Sequence, residues 1–136
     1  MAEIIRVRSG ILARMMEEAR RDPHLECCGL LGGRGALISE IFPIGNALAS
    51  ATAFEIAPGE LFRFFRGIRE AGLEHLGIYH SHPVGENAPS PRDIEQAFYP
   101  DVAYFILSPL PGAPRPVRAF SIREARVAEL LIESVR

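Results

Sequence analysis

A short apolar run that ends in two histidines constrains this chain more than any other feature. Leu76 to Tyr79 is apolar, with polar Glu74-His75 before it and Pro83 after it, and reads as a buried strand. His80 and His82 follow, two positions apart. Residues i and i+2 of a strand point to the same face, so two imidazoles leave the strand end side by side. That suits two ligands on one metal ion, whereas a lone pair of this kind is equally two hydrogen-bonded histidines. Ten residues separate His82 from Asp93, among them Gly85, Asn87, Pro89 and Pro91. A loop of this make-up can turn the chain back and bring a carboxylate to the same ion. Two His and one Asp leave a fourth tetrahedral position for water, the arrangement of a catalytic zinc site.

The remaining elements read in order from both ends of that strand. Ile4 to Val7 is a short first strand, and Ser9 is placed to cap the helix after it. Ile11, Leu12, Met15, Met16 and Ala19 recur at helical spacing until Asp22-Pro23 stops the helix. Cys27 to Leu31 reads as a strand, Gly32-Gly33-Arg34-Gly35 as a hairpin turn, and Ala36 to Ile44 as the return strand. A loop of small residues spans 45–52, and Ala53 to Ile56 is a candidate edge strand. Pro58 opens a second helix with Leu61, Phe64, Phe65 and Ile68 as its buried stripe and Gly72 as its stop. Its arginines 63, 66 and 69 form a solvated face.

Beyond the histidines, Ser90 reads as the cap and Pro91 as the first residue of a third helix, running to about Tyr99. Ser90-x-x-Asp93 is close to a capping box; for Asp93 this structural role competes with ligation, because a carboxylate held on a metal has less freedom to cap. Val102 to Leu107 is apolar without alternation, as a central strand is. Four prolines stiffen the loop 109–116, and Val117 to Ile122 is a further strand. Arg126 to Val135 is ambiguous by pattern and would also suit a helix. The order of elements points to an α/β architecture with helices packed on a mixed sheet.

Length and charge narrow the functional classes. At 136 residues, the chain is expected to be a single domain over 1–136. A net charge of −2 gives no electrostatic case for a nucleic-acid or membrane partner. No apolar run approaches a membrane span, and the first residues lack a signal-peptide pattern. Cys27 and Cys28 are adjacent, so a disulfide between them would be strained. Reduced packing residues in a cytoplasmic protein are the simpler reading. His24 and His75 show no partner in the sequence and read as surface residues or residues behind the site.

The constellation His80-Ser81-His82-Pro83, six residues, Ser90, two residues, Asp93 resembles the metal signature of the JAMM (MPN-plus) metalloprotease family. That signature includes an upstream glutamate, and Glu26 in Glu26-Cys27-Cys28-Gly29 fits it. The resemblance runs on through Asn46 and Phe54-Glu55-Ile56-Ala57-Pro58, and covers the chain from about Ile11 to Leu107. It implies a three-layer, cytidine-deaminase-like α/β fold with a mixed sheet flanked by helices, and a last strand at Arg126 to Val135. It implies Zn2+ on His80, His82 and Asp93, Glu26 as general base, and Ser90 as a donor to the developing oxyanion. It also implies direct attack by zinc-bound water, with no covalent intermediate.

The family it resembles cleaves bonds after the C-terminal Gly-Gly of ubiquitin and ubiquitin-like proteins. This compact chain looks like the bacterial members, which release cargo such as cysteine from ubiquitin-like sulfur-carrier proteins. A substrate tail would lie extended, added beside Ala53 to Ile56 or the 83–89 loop. Two other classes compete. A silent MPN-type scaffold keeps the fold without the metal, but here every signature position is filled. A zinc deaminase needs H-x-E and P-C-x-x-C, which this chain lacks.

Overall fold

The computed structural model describes residues 3–136. Seven strands and three helices follow the order β1 (Ile4–Arg8), α1 (Ser9–Arg21), β2 (Cys28–Arg34), β3 (Leu37–Ile44), α2 (Pro58–Ala71), β4 (Glu74–Ser81), α3 (Pro91–Glu95), β5 (Ala103–Leu107), β6 (Val117–Arg123) and β7 (Arg126–Val135). The sheet is mixed, with spatial order β1-β3-β2-β4-β5-β6-β7. It closes on itself because β1 pairs in parallel with both β3 and β7. The layered α/β reading anticipated the mixed sheet but not this closure, which comes from β7 continuing β6 as an antiparallel hairpin and reaching β1.

Strand parity sorts the core into two clusters on opposite faces of the sheet. Leu31, Tyr79, Phe105 and Ala119 pack with Met15, Met16 and Ala19 of α1. Their neighbours Leu30, Ile78, Ile106 and Phe120 pack with Phe64 and Ile68 of α2. Burying a side chain the size of Phe64 or Ile68 stabilises the fold by about 1.5–3 kcal/mol. Deleting the Phe64 ring would cost about 3–5 kcal/mol. His80 follows Tyr79 and therefore leaves β4 on the α2 face, with Ile78.

Several boundaries differ from the sequence reading. Ser9 is the first helical residue of α1, Arg8 is the cap, and no side chain caps that end. Gly32 and Gly33 are not the turn but ladder residues of β2, paired to β3 and β4 through register shifts. The turn lies at Gly35 and Ala36, both at positive φ as a two-residue hairpin loop requires. Ala53 to Ile56 is not a strand, because its backbone pairs with the 46–47 loop instead. There, the Ala47 amide donates to the Glu55 carbonyl at 2.9 Å, and the Glu55 amide donates to Asn46 Oδ1 at 3.1 Å. The third helix stops at Glu95 rather than near Tyr99. Arg126 to Val135 is a strand, whose partners on both sides outweigh its helix-compatible pattern.

Candidate metal centre

His80 lies in β4, His82 just beyond its end, and Asp93 in the first turn of α3. Nε2 of His80 and Nε2 of His82 are 3.1 Å apart. Oδ2 of Asp93 lies 3.2 Å from the first and 3.0 Å from the second. Nδ1 of His82 donates to the Glu86 carbonyl at 2.8 Å, which turns its Nε2 toward the other two atoms. Acceptor atoms this close are favourable only around a positive charge, a proton or a cation. Tetrahedral zinc at about 2.1 Å from each ligand spaces them roughly 3.4 Å apart, within a few tenths of an ångström of this triangle. The residues present therefore fit a zinc ion.

Asp93 serves two purposes with one oxygen. Oδ2 accepts from the Ser90 amide at 2.9 Å, and the Asp93 amide donates to Ser90 Oγ at 3.1 Å, a complete capping box. Capping therefore presents the carboxylate to the histidines rather than competing with them. Burial alone would raise the Asp93 carboxyl, but the hydrogen bonds from His80 and His82 and the Ser90 amide outweigh it. They hold the carboxyl well below the usual carboxylate range. Burial also pushes His80 down. In His82 the bonds to Asp93 and the Glu86 carbonyl outweigh burial, and its pKa is raised. The His80 ring stacks on Phe54, with centroids 4.5 Å apart and 25° between planes.

Glu26 reaches the same place by register. The β2–β4 pairs Cys28↔His80 and Gly29↔Tyr79 sum to 108, as do 26 and 82, so Glu26 stands opposite His82 beyond the ladder. The bond from the Ser81 amide to the Cys27 carbonyl, 3.1 Å, continues that register. The Glu26 amide donates to the Ser50 carbonyl at 2.8 Å, and Asn46 Nδ2 donates to the Glu26 carbonyl at 3.1 Å. The side chain is only 4 % exposed, and its Oε1 has no hydrogen-bond partner. Burial pushes the carboxyl from its ordinary 4.5 up to about 7; His82 pulls it down and Asp93 raises it. A buried carboxyl poised there can exchange protons at neutral pH. Glu26, His82 and Ser90 line one hollow of about 320 Å³, between residues 51–52 and the 84–89 loop.

The other residues singled out in the sequence fall outside this group. Cys28 is buried and donates to the Ile44 carbonyl at 3.5 Å, and burial pushes its thiol up to about 12. Both cysteines are free and neither joins the metal-ligating group. His75 is not a surface residue. Its Nε2 faces the Gly77 carbonyl at 3.1 Å, and its ring packs edge-on against Phe64, Phe65 and Tyr99. Asn87 read only as a loop residue in the sequence, and its anchoring role was missed. Buried, it donates to the Ile106 and Arg115 carbonyls at 3.3 and 2.8 Å and ties down the loop whose Glu86 carbonyl orients His82. An asparagine between Gly85 and Pro89 carries no periodic signal that would reveal such an anchor.

A closed mixed sheet that carries two histidines and a carboxylate, with a buried glutamate beside them, defines a candidate hydrolytic metal centre. Residues 8–123 match the prokaryotic homologs of the JAB domain, and the chain belongs to that family. It is 36% identical over 105 residues to a desampylase of Haloferax volcanii, covering 75% of this chain and 76% of that one. It is 31% identical over 128 residues to the CysO-cysteine peptidase of Mycobacterium tuberculosis, covering 93% and 88%. A protein of Desulfitobacterium hafniense, solved in solution, superposes with a TM-score of 0.84 at 30% identity, covering 98% and 93%.

Proposed function

We propose that this chain is a zinc-dependent peptidase or isopeptidase that frees a ubiquitin-like or sulfur-carrier protein at its C-terminal Gly-Gly. The observation that carries the reading is Glu26, a buried carboxyl with an unpartnered oxygen, in one hollow with a metal ligand. Relatives named desampylase and CysO-cysteine peptidase support the substrate class. A silent scaffold would have no use for a buried carboxylate that burial makes costly.

His80, His82 and Asp93 would hold the zinc. When bound, the ion supplies a Lewis acid that polarises the scissile carbonyl and makes water acidic enough to ionise near neutral pH. Glu26 takes the proton of the attacking water and returns it to the leaving amine, which its pKa near 7 allows in both directions. Ser90 Oγ accepts from the Asp93 amide, so its own proton is free to point into the hollow and donate to the developing oxyanion. The substrate tail lies extended along residues 53–56. Glu55 spends its amide and carbonyl on the 46–47 loop, so by strand alternation those of Phe54 and Ile56 face the other way, toward a tail. Glycines suit the passage because they let the backbone approach closely.

Among the described residues, no helix is long and apolar enough to cross a membrane. The two free cysteines suit a reducing compartment, and we place the protein in the cytoplasm as one domain. The test offers a folded ubiquitin-like carrier joined through its terminal glycine to an amino acid or a lysine side chain. Mass spectrometry should show free carrier ending in Gly-Gly, and a matched tail ending in Ala-Val should react far more slowly. Equal rates on both tails, or scattered cleavage of unfolded proteins, would make the chain a general peptidase instead.

A further inference from the structure

The loop after His82 has two sides. One lines the Glu26 hollow, and the other walls a groove of about 460 Å³ whose far bank is the proline-rich stretch 110–115. Glu86 lines both spaces and forms the rim between them. Hydrogen bonds fix both banks. Asn87 Nδ2 donates to the Ile106 and Arg115 carbonyls, and the Ser108 amide donates to the Pro116 carbonyl at 2.9 Å.

The groove offers unused polar atoms. Asn87 and Ser108 line it, and both are almost fully buried. Asn87 commits its side-chain amide hydrogens to carbonyls, and among the described residues its Oδ1 accepts nothing. Ser108 Oγ accepts from the Leu110 amide at 3.4 Å, which leaves its own proton to give. A free acceptor and a free donor in one groove match a peptide group, with its N–H on Asn87 and its C=O on Ser108.

Charge adds a second requirement. Arg118 forks onto Glu129, Nη2 to Oε1 at 2.7 Å and Nε to Oε2 at 3.2 Å, and Arg115 shares that carboxylate. One carboxylate thus faces two guanidiniums. The balance comes from Glu86, whose Oε1 lies 3.5 Å from Arg118 Nη1. That contact is loose, because the Glu86 side chain is 80 % exposed, while that of Arg118 is 15 % exposed. A pair with one partner so exposed contributes little, so an incoming carboxylate can replace Glu86. The arginine pair then has one positive charge for it to match.

Glu26 returns the proton to the leaving amine, so whatever that amine carries departs from the hollow and meets the Glu86 rim. We infer that the released group is a polypeptide, which runs from the hollow across Glu86 into this groove and places an Asp or Glu side chain on Arg118. The inference rests on the conjugate-cleaving reading above. An extended chain spans about 3.3 Å per residue, so a lone amino acid is too short to occupy both sides of the loop.

Two measurements test it on the full chain. The first uses a carrier whose Gly-Gly is joined to a C-terminally amidated pentapeptide of alanines. A single Asp stands at its second, third or fourth place, and the control has Asn there. At one of these places Asp should raise kcat/KM roughly 10-fold over Asn, the size of a charge-assisted bond discounted for exposure. Arg118→Gln should bring the ratio to one. Glu86→Gln, which removes the resident carboxylate, should raise it; a merely structural role for either side chain would alter both rates alike. The second measurement needs no turnover. The free amidated pentapeptides are titrated into the protein while the Asn87 side-chain amide and the Ser108 backbone amide are followed by NMR. The preferred Asp peptide should shift both, and its Asn counterpart should shift them far less. Equal kcat/KM for Asp and Asn at every place, or resonances that ignore the Asp peptides, would overturn the inference. Shifted resonances with no conjugate cleaved would uphold the groove and refute the hydrolytic reading instead.

Discussion

Glu26→Gln in the metal-stripped protein should be more stable than wild type at pH 8 and lose that advantage in acid. Burial lifts the Glu26 carboxyl from 4.5 to about 7 in the folded chain, with 4 % of the residue exposed. A raised folded pKa means stability that is fully present below pH 4.5 and falls as pH climbs to about 7. Over that window the unfolded chain ionises freely, while the folded chain resists. At about 1.36 kcal/mol per pH unit the loss reaches about 3 kcal/mol, and it is flat above pH 7. Glutamine carries no charge to bury, so its stability should not show this fall. The assay is urea unfolding of both proteins in chelator at half-unit steps from pH 4 to pH 9. The wild-type minus Gln difference should become less favourable to wild type by about 3 kcal/mol across pH 4.5–7. A difference that stays constant with pH would refute the claim that Glu26 is held in a desolvated site. The same charge that destabilises the fold is the one proton transfer needs, the usual tension between stability and activity.

Other substitutions probe separate steps. With zinc present, Glu26→Gln should keep metal and fold while turnover falls roughly 10²- to 10⁴-fold, the size expected for a lost general base. Turnover within a few-fold of wild type would require another base. Gly29→Ala would place a Cβ 2.3 Å from the buried Tyr79 ring, and denaturant unfolding should show roughly 1–3 kcal/mol lost to overpacking. Tyr79→Phe removes a buried hydroxyl that has no partner, and should gain about 1 kcal/mol in the same assay.

Local pattern made parts of this protein legible. Period-2 alternation placed His80 and His82 side by side, and the Ser90-Pro91 cap located the turn that carries Asp93. Glu26 was legible only through family resemblance. What brings it to His82 is the β2–β4 register, a pairing across 56 positions that no local spacing encodes. Gly32 and Gly33 misled because glycine marks both turns and close strand approach; a Cβ on Gly33 would lie 1.8 Å from the Leu37 carbonyl oxygen. Ala53 to Ile56 has strand composition, but Asn46 takes up its backbone bonds and leaves it an extended loop. Closure of the sheet was out of reach for the same reason as the Glu26 register, since β1 meets β7 across almost the whole chain.

Metal content tests the central claim most directly. Protein purified without added metal should carry one zinc per chain by elemental analysis, and His82→Ala should lose zinc and activity together. Zinc near zero in the wild-type protein, not restored by adding the ion, would contradict the account.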